Sequence, residues 1–168
     1  MQGAWPSFDL SGVELLLALV RGLFVATLLS VFGASLFGVL IAPTASKQRQ
    51  GNPTEIDRRC LRVARWSTLS ALLLMPLWLA LQARIIADAE TPIEVLAAIP
   101  SVTWDTRFGH IFCAQALALL ATATALLIDR RGLLMATGLA GSAMLLQAGH
   151  THALAMHDGP LLLANAFT

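Results

Sequence analysis

GLFVATLLSVFGASLFGVLIA, residues 22–42, runs for 21 positions without a charged side chain. At 1.5 Å per helical residue this covers about 32 Å, enough to cross the roughly 30 Å hydrocarbon core of a bilayer. Three further segments approach the same standard: Trp66–Ala83, Phe108–Ile128 and Gly132–Ala148. The composition agrees, with 57 % hydrophobic and 12 % charged residues, where soluble domains hold roughly 45–50 % and 25 %. The expected fold class is therefore all-α: a polytopic membrane bundle of four transmembrane helices, forming one integral-membrane domain over residues 1–168. The N-terminal MQGAWPSFDLSGVE has no basic residue, which is not the pattern of a cleavable signal peptide.

Local signals refine the spans. Ser11 and Glu14 form a capping-box pattern, so the first helix is expected to start near residue 12, and Pro43 to stop it. Pro76 lies inside the second span, at the cost of one backbone hydrogen bond. In TPIEVLAAIPS (91–101), Thr91 reads as N-cap, Pro92 as the first helical residue, Glu94 as capping-box partner and Pro100 as terminator. That predicts a short interfacial helix over 91–98. Small-xxx-small pairs, Ala34/Gly38 and Thr137/Gly141, predict close helix packing.

The net charge of +1 conceals segregation. The 43–65 connection carries Lys47, Arg49, Arg58, Arg59, Arg62 and Arg65, and the turn after the third span adds Arg130 and Arg131, whereas the 84–107 connection mixes signs. Basic loops stay cytoplasmic. This predicts a cytoplasmic 43–65 loop, a periplasmic 84–107 connection and two periplasmic termini. No basic stretch interleaved with aromatics points to nucleic acid.

All four histidines then fall on one face: His110 opens the third span, and GHTHALAMHDGP (149–160) closes the fourth with His150, His152, Met156 and His157. Imidazole and thioether together lean toward copper, with Cys113 as a further soft donor. His110 and Cys113, three apart, are expected to look into the bundle with Gln115 turned elsewhere. In a regular helix positions 150 and 152 lie roughly 200° apart, so they cannot both bind one ion unless the helix ends near Gly149 or another helix supplies the remaining ligands. Interfacial hydrogen bonding is the plainer role for any single imidazole, as snorkelling is for Arg21 and interhelical hydrogen bonding for Gln82 and Gln147. Cys60 and Cys113, on opposite sides, are expected to be free thiols. No P-loop, HExxH, GxSxG or dinucleotide fingerprint occurs, so no enzyme is expected. Two other readings stay open: a b-type haem cytochrome with His110 and His150 as axial ligands, and a structural subunit of a larger membrane complex.

VRGLFVATLLSVFGASLFGVLIAP (20–43), TRFG (106–109) and AGHTHA (148–153) resemble the N-terminal half of CopD-type copper-resistance membrane proteins. That family carries an arginine opening a glycine-containing first helix, a T-x-F-G before a later helix, and a G-H-A segment. The resemblance implies a bacterial inner-membrane protein that moves copper between periplasm and cytoplasm, working with a small periplasmic copper-binding protein. It makes Arg21, Thr106, Phe108, Gly109 and His150 family positions, with His150 the ligand, and Gln115 stands where the family tends to have arginine. His110, His152, Met156 and His157 rest on clustering alone. Family members also carry more helices, so GPLLLANAFT (159–168) is expected to begin a fifth apolar helix, with a second half or a larger complex as partner.

Overall fold

The computed structural model describes residues 12–40 and 53–155, with backbone alone at 53, 54, 57, 129–131 and 150–155. Among the described residues five helices occur in this order: α1 (Gly12–Leu40), α2 (Pro53–Ile86), α3 (Pro92–Asp105), α4 (Arg107–Ala125) and α5 (Asp129–Ala155). All except α3 are long and apolar enough to cross a membrane. The described residues are all-α, as expected, because a bilayer core leaves backbone N–H and C=O groups no partner outside their own helix or a closed barrel. The Ser11 cap, Pro43 and the apolar 159–168 segment lie outside the described residues.

The four long helices close a ring in which α1 packs on α2 and α5, and α4 on α5 and α2. One half of the core is aromatic. Trp78 of α2 meets Phe24 of α1 at 5.2 Å between ring centroids, and Phe108 and Phe112 of α4 at 5.5 and 5.8 Å. The two α4 contacts are edge-on, the geometry that ring quadrupoles favour. The other half is built from small side chains: Ala64, Ala125, Ala136 and Gly38 lie there with Leu126 and Leu133. A Cβ on Gly38 would come within 3.1 Å of Leu133 and 3.3 Å of Cys60, and one on Gly141 within 3.4 Å of Phe32. Both glycines of the small-xxx-small pairs are thus at helix contacts. Several hydroxyls within the spans bond back to their own helix, as Thr68 does to Ala64 O and Thr122 to Ala118 O, or across helices, as Ser67 does to Ser30 at 2.9 Å.

Two boundaries differ from expectation. Residues 53–65 of the expected loop are helical, because α2 begins at Pro53, a residue suited to a first helical turn, and an Arg59–Glu55 ion pair at 3.0 Å supports that end. The two groups are largely exposed; the guanidinium holds the Glu55 carboxyl below its ordinary range, first by hydrogen bond and then by charge. Further along α2, Arg65 donates from Nε and Nη2 to Leu126 O, at 2.9 and 2.7 Å, closing the C-terminus of α4. A cation there also suits the helix dipole.

The second difference is α3, which passes through Pro100 and ends at Asp105. Its start is as expected: Thr91 accepts from Glu94 N at 3.3 Å, and Glu94 accepts from the amides of Glu90 and Thr91 at 3.0 and 3.3 Å. Those hydrogen bonds lower the Glu94 carboxyl pKa. The missing Pro100 N–H breaks one backbone bond only. Beyond it, Val102 is buried and the Thr106 hydroxyl donates to Val102 O, so packing holds the last turn. At 14 residues, about 21 Å, α3 is too short to span. Ile93, Leu96, Pro100 and Trp104 form an exposed stripe along it, the pattern of a helix lying at a lipid interface.

The TRFG stretch makes the α3–α4 corner. Thr106 is extended and caps α4 by accepting from Gly109 N at 3.0 Å, and Phe108 reaches Trp78. Gly109 lies against α3 so closely that a Cβ would collide with the backbone carbonyls of Val102 and Thr103. Backbone cannot yield as a flexible side chain does, so Gly109→Ala is expected to cost roughly 1–3 kcal/mol. Gly22→Ala, with nothing within 4 Å, should be nearly neutral. Detergent-denaturation midpoints of the two variants check this; equal midpoints would remove the close approach as a constraint.

Candidate functional site

The contacts fix the register of the ring. Along α1 and α5, Gly38 meets Leu133 and Phe32 meets Gly141. Continued in the same antiparallel sense, this brings Arg21 level with the turn holding positions 150–152. On α4 and α5, Gln115 meets Ala143 and Gln147, and Ile111 lies 3.7 Å from where a Cβ of Gly149 would stand. His110 is therefore level with position 150. Trp78, packed on Phe108 and Phe112, occupies the same level on α2. One end of the bundle thus collects Arg21, Trp78, His110 and the backbone positions of His150 and His152.

Their environments differ. His110 is exposed on the first turn of α4 and Cys113 is half-buried. Gln115, expected to turn away, is fully buried. The inward face of α4 is Gly109, Phe112, Gln115, Leu119 and Thr122, a three-to-four spacing that leaves His110 and Cys113 off its centre, toward the other side of the helix. An amide can be buried there because a partner is present: Gln115 Nε2 donates to Ala143 O at 3.0 Å and to Gln147 Oε1 at 3.1 Å. The interhelical role expected of Gln147 is thereby met, whereas Gln82 is half-buried with no such bond among the described residues. Among the described residues Gln115 Oε1 and Gln147 Nε2 have no hydrogen-bond partner, an acceptor and a donor held inside the bundle one turn below position 150. Arg21 is half-buried, and its Nη2 is buried and unpartnered among the described residues. Simple snorkelling into water does not describe that nitrogen.

The helix of α5 continues to Ala155. Positions 150 and 152 therefore stay roughly 200° apart around one axis, and the early helix end that would let one ion take both does not occur. Met156 and His157 lie outside the described residues, and the side chains of His150 and His152 are not described. Among the described residues no group of three His, Cys, Asp or Glu is placed to hold a metal ion. Neither Cys60 nor Cys113 forms a disulfide, as expected.

Residues 12–163 match the family model described as "Copper resistance protein D-like, N-terminal domain". The chain belongs to this family. No curated protein and no solved structure matches it. This CopD-like chain is accordingly a multi-pass membrane protein of copper resistance, its long helices in contact with lipid. The haem alternative gains nothing, since a ligand buried between α4 and α5 needs His110 turned inward and it is exposed.

Sequence reasoning missed Gln115 and Trp78. For Gln115 the available signal was its spacing from Phe112 and Leu119. The pair also sets a test: Gln147→Leu should cost about 1 kcal/mol, whereas adding Gln115→Leu should cost little more, because both orphaned amide atoms then disappear. Denaturation of the two single variants and the double variant measures the coupling. Strictly additive losses would show that the amides act independently.

Proposed function

We propose that this CopD-like protein takes up copper at the α5 end of the bundle and passes it into or across a bacterial inner membrane. Copper is cargo here, and the chemistry is exchange between ligands with no catalysed reaction. The observation that carries the reading is the family match over residues 12–163; the resemblance of AGHTHA (148–153) to the family adds His150, whose backbone position is level with His110 and Arg21. In this reading His150 is the principal ligand, and His152, Met156 and His157 on the same terminal segment receive copper from a small periplasmic copper-binding protein. His110, exposed at that level, is an outer acceptor, and Cys113 a softer donor along α4. Imidazole and thioether exchange copper readily, as a carrier requires.

Copper titration of the reconstituted protein tests the ligand set. His150→Ala should weaken binding most. His152→Ala, His157→Ala and His110→Ala should each weaken it less, since no single ion can take every imidazole. Binding of the unsubstituted protein should fall from pH 7 to pH 5.5 as protons compete for ring nitrogens. Unchanged affinity in all four variants refutes the proposal.

The orientation proposed has both termini periplasmic and the start of α2 cytoplasmic, following the arginines of that end. Cys60 is a poor reporter because it is buried. In a Cys60→Ser/Cys113→Ser background, Arg59→Cys should resist a membrane-impermeant maleimide in intact cells while Glu90→Cys labels readily; both native positions are exposed. The opposite labelling pattern would invert the topology.

A further inference from the structure

The face of α2 turned away from the bundle carries an ordered sequence of chemistries. Arg58, Arg62 and Arg65 come first, then Trp66, then Leu69, Leu73 and Leu77, all exposed and within about a 120° arc. The buried residues Cys60, Ala64, Ala71, Met75 and Trp78 occupy the opposite side of the same helix. Arg58, Leu61, Arg62, Arg65 and Trp66 line an open cleft of about 330 Å³. Arg65 is committed to Leu126 O. Arg58 and Arg62 have no hydrogen-bond or ion-pair partner among the described residues, and the Glu55 carboxylate is taken by Arg59.

We propose that this face is a docking site for one anionic phospholipid, its phosphodiester held by Arg58 and Arg62 beside Trp66 and an acyl chain laid along Leu69, Leu73 and Leu77. Charge and length select that occupant. Guanidinium forks match phosphate oxygens, and an indole is favoured at headgroup depth. From Trp66 to Leu77 the helix rises about 16 Å, close to the roughly 15 Å of hydrocarbon in one leaflet. A free phosphate ion makes no use of the leucine lane, and a protein partner does not require cations and leucines spaced to a leaflet. The site lies at the other end of the bundle from the proposed copper ligands and does not depend on that reading.

The full chain, carrying Trp5→Phe and Trp104→Phe, is reconstituted in phosphatidylcholine vesicles containing equal fractions of either brominated phosphatidylglycerol or brominated phosphatidylcholine. Trp66 then reports contact, while Trp78 is enclosed by Phe24, Phe108 and Phe112. Brominated phosphatidylglycerol should quench more strongly, and Arg58→Gln or Arg62→Gln should each lower the preference about five-fold. Arg59→Gln, the same charge change at an arginine already paired with Glu55, should leave it unchanged. Equal quenching by the two lipids in otherwise unsubstituted protein overturns the proposal. So does an equal loss in Arg59→Gln, which means diffuse charge, or abolition of the preference by added inorganic phosphate, which means an ion site.

Discussion

Antiparallel helices in lipid can slide past one another at little cost in apolar contact, since tails replace side chains, so something specific must set their relative height. In this bundle it is Trp78. Its indole is enclosed by Phe24, Phe108 and Phe112, which joins α1, α2 and α4 at one level. At the opposite end Gly38 meets Cys60 and Leu133, where a side chain on residue 38 would crowd the contact. Between these two fixed points the register follows, and with it the gathering of Arg21, His110 and the α5 histidine positions.

The TRFG corner shows how a short motif can be conformational in origin. Thr106 accepts the first amide bond of α4 and donates back to α3, Phe108 joins the aromatic group, and Gly109 leaves room for two carbonyls. Each residue has a physical task at the corner, and together they deliver His110 to the rim. The residues with spare bonding capacity lie just inside it: the Gln115–Gln147 amides and one nitrogen of Arg21.

The sequence made the four spans, the capped start of α3 and the glycine contacts legible, because length, capping chemistry and residue size are local properties. The inward face of α4 was not legible. In lipid both faces of a helix are apolar, so hydrophobic periodicity no longer marks the buried side. Polar residues then mislead: His110 is the more obvious ligand, yet Gln115 is inside because Gln147 and Ala143 O await it. Pro100 misled differently, since the burial of Val102 and the Thr106 hydroxyl hold a turn that local propensity ends. Of the candidate site, the register of the backbone brings positions 110, 150 and 152 to one end of the bundle, and the ligand set itself belongs to the proposal.

The double bond from Arg65 to Leu126 O fixes more than the end of α4. A guanidinium carried to the bilayer centre costs at least about 2.5–3.5 kcal/mol, so Arg65 is confined to the boundary between hydrocarbon and water, and the carbonyl it holds is confined with it. The α4–α5 turn is thereby moored at a set depth. Sinking by one helical turn, about 5.4 Å, would drag Arg62 and Arg65 toward hydrocarbon together. The bundle cannot bob along the membrane normal, and its far rim stands at a constant height above the opposite leaflet.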